Sequence, residues 1–399
     1  MRNIILLFLS ACCFLACDDL LDLNPENSLT FKNAFETEKD IESALRATEW
    51  RLRECGGGVI RPASSRGYYS DNVKSSQLLL QDFGYAYFTG YWENSYDIIS
   101  SANVVLPFLD KVEMTQERRD FYRGEALFFK AFAYLQLIRC FGNCVLVKDE
   151  VILEPLGQTA WPIVADYAIE LAKEAIRLLP EWNELQDADG NSVTHRGRPC
   201  KGAANAVLAN LCAWKAGCKY LARTEDQNYD ETALWKQVDS ACSAIINRPD
   251  IYELAASPEE VCTSVLVGGS KESIFESIYK GYEHEFYDGT HGINLILFKL
   301  PGYPVNPYAG MNNKYRGEIL NTTVEKMFEE YEQNGVKRTD QRRYAWFYNY
   351  DEMAAMSPDI TGGYAYFYKW RYPILNEEYG YVEGVDCNLV WWRLADIYL

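Results

Sequence analysis

Histidine is scarce in this chain, with three among 399 residues, and no HExxH, GxSxG, GxGxxG, Walker loop or CxxC pair occurs. The sequence patterns of zinc proteases, serine hydrolases, dinucleotide-binding enzymes and P-loop NTPases are therefore missing. The apolar run at the N-terminus, Ile4 to Ala16, falls short of the ~20 residues a membrane-crossing helix needs. Positive charge is in deficit as well: 39 Lys and Arg stand against 57 Asp and Glu, for a net charge of -18. A surface this acidic repels phosphate backbones, which argues against nucleic acid as a partner. His284 and His291 lie seven residues apart among Glu283, Glu285 and Asp288, a segment that reads as a solvated acidic loop. No cofactor and no metal is expected.

What is present begins at the N-terminus. Met1-Arg2-Asn3, the apolar run and small residues before Cys17 form an export signal, and a cysteine directly after such a run can be acylated. Leu9-Ser10-Ala11-Cys12 also has the form of a lipobox, but cleavage there would leave an apolar region of only about eight residues, near the short end for signals. Cys17 is the expected anchor, and acyl chains contribute ~0.8 kcal/mol per buried CH2, enough to hold a protein at a bilayer without a spanning helix. Of the 12 cysteines, Cys12 and Cys13 leave with the signal and Cys17 takes the lipid. Cys140 and Cys144 look paired, yet on a helix their Cβ atoms would stand ~5–6 Å apart, beyond disulfide reach, unless Gly142 breaks the helix. The remaining cysteines read as small buried hydrophobes.

Hydrophobic residues at 48% and 29 tyrosines describe a folded chain rich in amphipathic rings. Apolar positions at spacings of three and four predict helices over Glu36 to Cys55, Trp92 to Val112, Gln116 to Phe141, Trp161 to Leu179, Lys201 to Ala216 and Glu231 to Ile246. Gly202, Ala203, Ala204, Ala206, Ala209 and Ala213 give the fifth a thin face that lets neighbours approach closely, as in tetratricopeptide-type helix pairs. After Asp250 the pattern changes. Ser273 to Tyr279 alternates like a strand, and Tyr279 to Tyr315, with six Tyr, two Phe, five Gly and three Pro, reads as a long structured loop. A short helix over Val324 to Gln333 and an aromatic stretch from Tyr344 to Trp370 follow.

Blocks in order along the whole chain resemble the SusD/RagB nutrient-uptake outer-membrane lipoproteins. Cys17 with Leu21-Asp22 and Pro25 is similar to the family's lipid cysteine and the segment after it. Trp92, Tyr96, Ile99, Ala102 and Asn103 look like its W-x3-Y-x2-I-x2-A-N helix. Gly124-Glu125-Ala126 with Ala131, Tyr134, Leu137, Phe141 and Gly142 resembles its most recognisable block. Gly197-Arg198 with Lys201 to Ala204, the strand Glu272 to Glu276, Asp340-x-Arg342, and Arg393 to Asp396 with Leu399 match further elements. Lys130 stands where Arg is usual and Val145 replaces a proline, both at packing positions.

The resemblance implies a mainly α fold: a tetratricopeptide-like helix-pair scaffold with a loop-rich, few-strand ligand-binding half. It places a signal peptide at 1–16, a helical region at 17–250 and a ligand-binding region at 251–399. Because the family continues the helix that starts at Arg393, the chain is expected to be a fragment of a longer one. By the same resemblance the protein would sit at the outer membrane and pass its ligand to a SusC-like TonB-dependent channel.

Sugars present C–H faces that stack on aromatic rings and hydroxyls that bond to polar side chains, so a glycan site needs exposed rings interleaved with polar groups. The Tyr279 to Tyr315 loop and Arg66 to Asn72 both supply this, and family architecture implies that they converge. Tyr69, Tyr282, Tyr287, Tyr303 and Tyr308 are the candidate rings, with Asp71 and Asn312 as hydroxyl partners. Trp92 lies on a helix stripe and is assigned to the core. The expected function is binding of an oligosaccharide, neutral or weakly charged given the acidic surface, without cleavage. Peptide capture of the RagB type is the alternative within binding proteins, and a surface glycosidase with a buried carboxylate pair is the alternative from another class.

Overall fold

The computed structural model describes residues 35–69, 89–149, 155–279, 293–294, 319–357, 363–366, 368–376, 378 and 381–399. It is mainly helical, as the sequence pattern requires. Six long helices lead: α1 Glu38–Tyr69, α2 Thr89–Val105, α3 Gln116–Phe141, α4 Trp161–Leu178, α5 Lys201–Gly217 and α6 Glu231–Ile246. Each packs on the next in a tetratricopeptide-like stack, and α1 also touches α3. Among the described residues no helix is long and apolar enough to cross a membrane.

Helix α3 is the axis of this stack. Its apolar residues occur all round, and a helix patterned in this way must be covered on every side. Thr115 caps its start by accepting from the Arg118 amide at 3.3 Å, and Gly142 ends it at φ 73°, a left-handed conformation that glycine adopts without strain. Phe128, Phe129 and Phe132 are completely buried, each burial contributing roughly 1.5–3 kcal/mol. Lys130, in the middle of that core, directs its ammonium to the Lys148 carbonyl at 2.6 Å, Asp149 at 2.9 Å and the Tyr167 hydroxyl at 3.2 Å. The lysine is thus satisfied where an arginine was expected.

The thin face of α5 has a direct structural reason. A Cβ on Gly202 would lie 2.0 Å from the Tyr252 hydroxyl oxygen, so this contact tolerates only glycine. Ala203, Ala204, Ala206 and Ala209 are buried beside it.

Short paired strands follow: β1 Cys144–Val145 with β2 Gln158–Thr159, then β3 Ser273–Ser277, β4 Ile293–Asn294, β5 Ile319–Leu320, β6 Tyr331–Gln333, β7 Val336–Arg338, β8 Tyr364–Ala365, β9 Pro373–Asn376, β10 Tyr381–Val385 and β11 Leu389–Arg393. All pairings are antiparallel: β1 with β2, β3 with β11, β4 with β10 and β10 with β9, β5 with β8, and β6 with β7. Strand β3 is buried along its length. Phe275 meets Phe128 edge-on at 4.9 Å, and Trp391 and Trp392 meet Phe132 at 4.8 and 5.6 Å, so the β3–β11 ribbon docks on α3.

Two expectations need correction. The helix predicted over Val324 to Gln333 is instead a helix at Asn321–Met327 followed by the β6–β7 hairpin. Asn334 and Gly335 both have positive φ, 55° and 76°, the conformation an Asn-Gly hairpin turn requires. Helix α1 runs to Tyr69 rather than Cys55, carrying Gly56 to Gly58 and Pro62 inside it. No disulfide joins Cys140 to Cys144: Gly142 does break the helix, but Cys144 is a buried free thiol that burial pushes up to about 12.

Candidate ligand-binding region

Both aromatic segments singled out in the sequence spring from well-held supports. Segment 70–88 joins the end of α1 to the start of α2, and α1 is fixed by a lattice of buried charge. Arg198 grips Glu125 with two hydrogen bonds, 2.8 and 3.1 Å, and also pairs with Glu42. Arg46 reaches the same Glu125 at 2.9 Å and Glu49 at 2.6 Å. Bidentate pairs of this kind hold a defined geometry as well as contributing energy. Burial raises the Glu49 carboxyl to about 7, with the Glu125 charge adding to the rise while Arg46 opposes it. Burial holds the nearby His195 down to about 4, aided by the charges of Arg46 and Arg198.

The second segment leaves β3 at Tyr279. Its amide donates to Asn388 Oδ1 at 3.0 Å, and its hydroxyl donates to the Arg53 carbonyl of α1 at 2.5 Å. Asn388 in turn donates to Glu276 Oε2 at 2.9 Å, and Glu276 also accepts from the Gly269 amide. Burial raises the Glu276 carboxyl, an effect these hydrogen bonds oppose. Glu276 therefore fixes the start of the loop and faces no open cleft.

Within and after that segment, two strand pairings tie it to one stretch of chain. Strand β4 pairs with β10, the neighbour of β9, and β5 pairs with β8. Segment 293–320 is thus attached at both ends to the region 364–385. That region includes Tyr368, Lys369, Trp370 and Arg371, and backbone bonds join it to Trp346 and Tyr348: the Tyr368 amide donates to the Trp346 carbonyl at 2.6 Å and the Tyr348 amide to the Tyr366 carbonyl at 2.9 Å.

The result is a surface of half-buried rings interleaved with cations. The Lys369 ammonium sits 4.9 Å from the Trp346 ring centre and 5.5 Å from Trp370, and the Arg342 guanidinium lies 5.6 Å from Trp346. Arg371 stacks on Tyr368 at 3.6 Å while donating to Glu259 at 2.8 Å and to the Ala345 carbonyl at 3.0 Å. Tyr348 and Tyr368 meet edge-on at 5.4 Å. Cation–π contacts of this kind contribute ~0.5–2 kcal/mol and keep the rings in place. Burial pulls the Lys369 ammonium down, and the Arg393 charge adds to that. Chemically, such a surface offers apolar faces and hydrogen-bond donors.

Of the residues chosen from sequence, Cys17, Asp71, Tyr282, Tyr287, Tyr303, Tyr308 and Asn312 lie outside the described residues, as do His284 and His291. Tyr69 is the last residue of α1. Trp92 packs against the core as assigned. Sequence reasoning missed Trp346, Tyr348, Tyr368 and Lys369 as site candidates. The signal was the aromatic stretch Tyr344 to Trp370, whose attachment to the earlier loop depends on pairings distant in sequence. Among the described residues no group of three or more His, Cys, Asp or Glu is placed to hold a metal ion.

Residues 61–211 match the family model SusD-like_3, described as starch-binding and associating with the outer membrane. No curated protein sequence matches. Solved structures share the fold. A SusD homolog from Bacteroides thetaiotaomicron aligns with a TM-score of 0.64 at 16% identity, covering 91% of this chain and 76% of that one. A SusD superfamily protein from Bacteroides vulgatus gives 0.55 at 17% identity, over 91% and 74%. A laminarin-binding SusD-like protein gives 0.55 at 17% identity, over 91% and 79%. Residues 61–211 are thus similar to the SusD-like family model, and the chain shares the fold of the solved SusD-like structures over nine-tenths of its length.

Proposed function

We propose that this protein captures oligosaccharides at the bacterial outer membrane and hands them, uncleaved, to a SusC-like TonB-dependent channel. The observation that carries the reading is the ring-and-cation surface around Trp346, bounded by the attachments of the Tyr279 to Tyr315 loop. Its indoles and phenols suit the C–H faces of sugar rings, and exposed Arg342 and half-buried Lys369 suit their hydroxyls. A laminarin-binding relative with the same fold and the starch-binding description of the family support the same class of ligand. The reading needs no cofactor, because its mechanism is binding.

In this account Tyr69, Tyr282, Tyr287, Tyr303 and Tyr308 extend the stacking surface, Asp71 and Asn312 receive hydroxyls, and acylated Cys17 anchors the chain. Calorimetric titration with starch- and laminarin-derived oligosaccharides tests it. Truncating a fully stacked ring to Ala should weaken binding about five- to 150-fold, by analogy with other stacking sites. Full affinity in all five Tyr→Ala variants and in Trp346→Ala would remove this region as the site. Cys17→Ala should release the protein from the membrane fraction, and membrane-bound, acylated Cys17→Ala protein would refute the anchor.

A further inference from the structure

We infer that a second saccharide subsite lies in the helical stack, in a cleft of about 490 Å³ where the start of α2 and the end of α3 meet the β1–β2 hairpin and residues 221–226. The inference rests on the oligosaccharide reading above and assigns that ligand a further contact. The volume falls in the ~300–1,000 Å³ range of small-molecule sites.

The cleft is built, not incidental. Gly142 turns the chain out of α3, and Asn143 then accepts from the Trp161 amide at 3.0 Å, fixing the start of α4. The Tyr96 hydroxyl donates to the Val145 carbonyl and accepts from the Val145 amide, both at 2.8 Å, and so pins the hairpin that carries exposed Gln158. Trp92 stands edge-on to Phe141 at 5.1 Å, and with Trp161 these rings line the base. The remaining wall is formed by Leu221, Arg223 and Asp226.

Arg223 and Asp226 define the ligand class. They line one cleft with opposite charge, yet their side chains pair neither with each other nor with any other described residue. Arg223 is exposed and Asp226 half-buried, so both charges stand accessible at the wall of the cleft. Left open, the guanidinium offers up to five donors and the carboxylate only acceptors, with the Gln158 amide able to do both. A hydroxylated ring satisfies all three, because each hydroxyl both donates and accepts. A polyanion would meet Asp226, and a purely apolar ligand would leave both charges desolvated without partners. A neutral sugar unit is the chemistry that fits.

The test uses the full-length protein and three probes: laminaritriose, laminarihexaose and maltohexaose. Arg223→Ala and Asp226→Ala remove side chains that make no hydrogen bond or ion pair with a described residue, so thermal unfolding should stay near the wild-type value. Gln158→Ala, on an exposed position, provides a second check. If the cleft is a subsite, the Arg223→Ala/Asp226→Ala protein should bind the preferred hexasaccharide about tenfold or more weaker. A protein lacking the four loop rings Tyr282, Tyr287, Tyr303 and Tyr308 should then keep residual binding that the added Arg223→Ala/Asp226→Ala changes abolish. Wild-type affinity in the Arg223→Ala/Asp226→Ala protein for every probe that the wild type binds would overturn the cleft, while loss of binding in the loop variant would leave the oligosaccharide reading standing. Absence of binding to all three probes by the wild type would overturn the subsite and count against the broader reading too.

Discussion

The Tyr279 hydroxyl donates to the Arg53 carbonyl at 2.5 Å, joining the strand that leads into the aromatic loop to the helix that leads into segment 70–88. The two segments are far apart in sequence, and this bond couples their supports. A ring alone could fill the same space, but only the hydroxyl fixes its position on α1.

Tyr279→Phe should therefore lower stability by about 1 kcal/mol, the usual net worth of one such hydrogen bond. The loss should be local. Hydrogen exchange is expected to quicken around 277–279 and along α1 near Arg53 more than in α5 or α6, and uniform acceleration would contradict the anchoring role.

Glu125 should be far less tolerant. It accepts from both Arg198 and Arg46, and its side chain is fully buried. Glu125→Ala leaves two guanidinium groups facing each other without their shared partner, which should cost about 3–5 kcal/mol in urea unfolding. A loss below 1 kcal/mol would mean that the lattice relaxes instead of holding α1.

The same lattice makes stability depend on pH in opposite directions. Glu49 sits at about 7 in the fold against an ordinary value of 4.5, so the folded state holds the extra proton. Its contribution is fully present below pH 4.5 and is lost as pH rises toward and through 7. His195 sits at about 4 against 6.5, so its effect runs the other way: stability falls as pH drops from 6.5 to 4. About 14% of the Glu49 side-chain surface remains exposed, which reduces the penalty to on the order of 2 kcal/mol. Glu49→Gln should accordingly stabilise the protein at pH 8 and leave it nearly unchanged at pH 4.5. Equal effects at both values would contradict the assignment.

The boundaries of α3 and α6 were legible in the sequence because each has a strong apolar period and a capping residue, Thr115 and Asp230, whose side chain accepts from the first turn. The Asn334-Gly335 hairpin was equally legible and was overridden by helix-like spacing on either side. Glu125 and Arg198 could be recognised as family positions, but their pairing could not, since 73 residues separate them. The surface around Trp346 was hidden for the same reason. Its rings were visible as a composition, whereas the β5–β8 and β4–β10 pairings that tie the loop to it are contacts between distant segments.

The central claim is capture without cleavage, and one experiment measures both halves of it. The mature protein is incubated with end-labelled laminari- and malto-oligosaccharides, and bound fraction and chain length are read from the same samples over hours. The account predicts saturable binding of at least one series with every chain length unchanged. Shortened products that accumulate with protein concentration would contradict it and point to a glycosidase. Peptide binding with no retention of either sugar series would contradict it in favour of peptide capture.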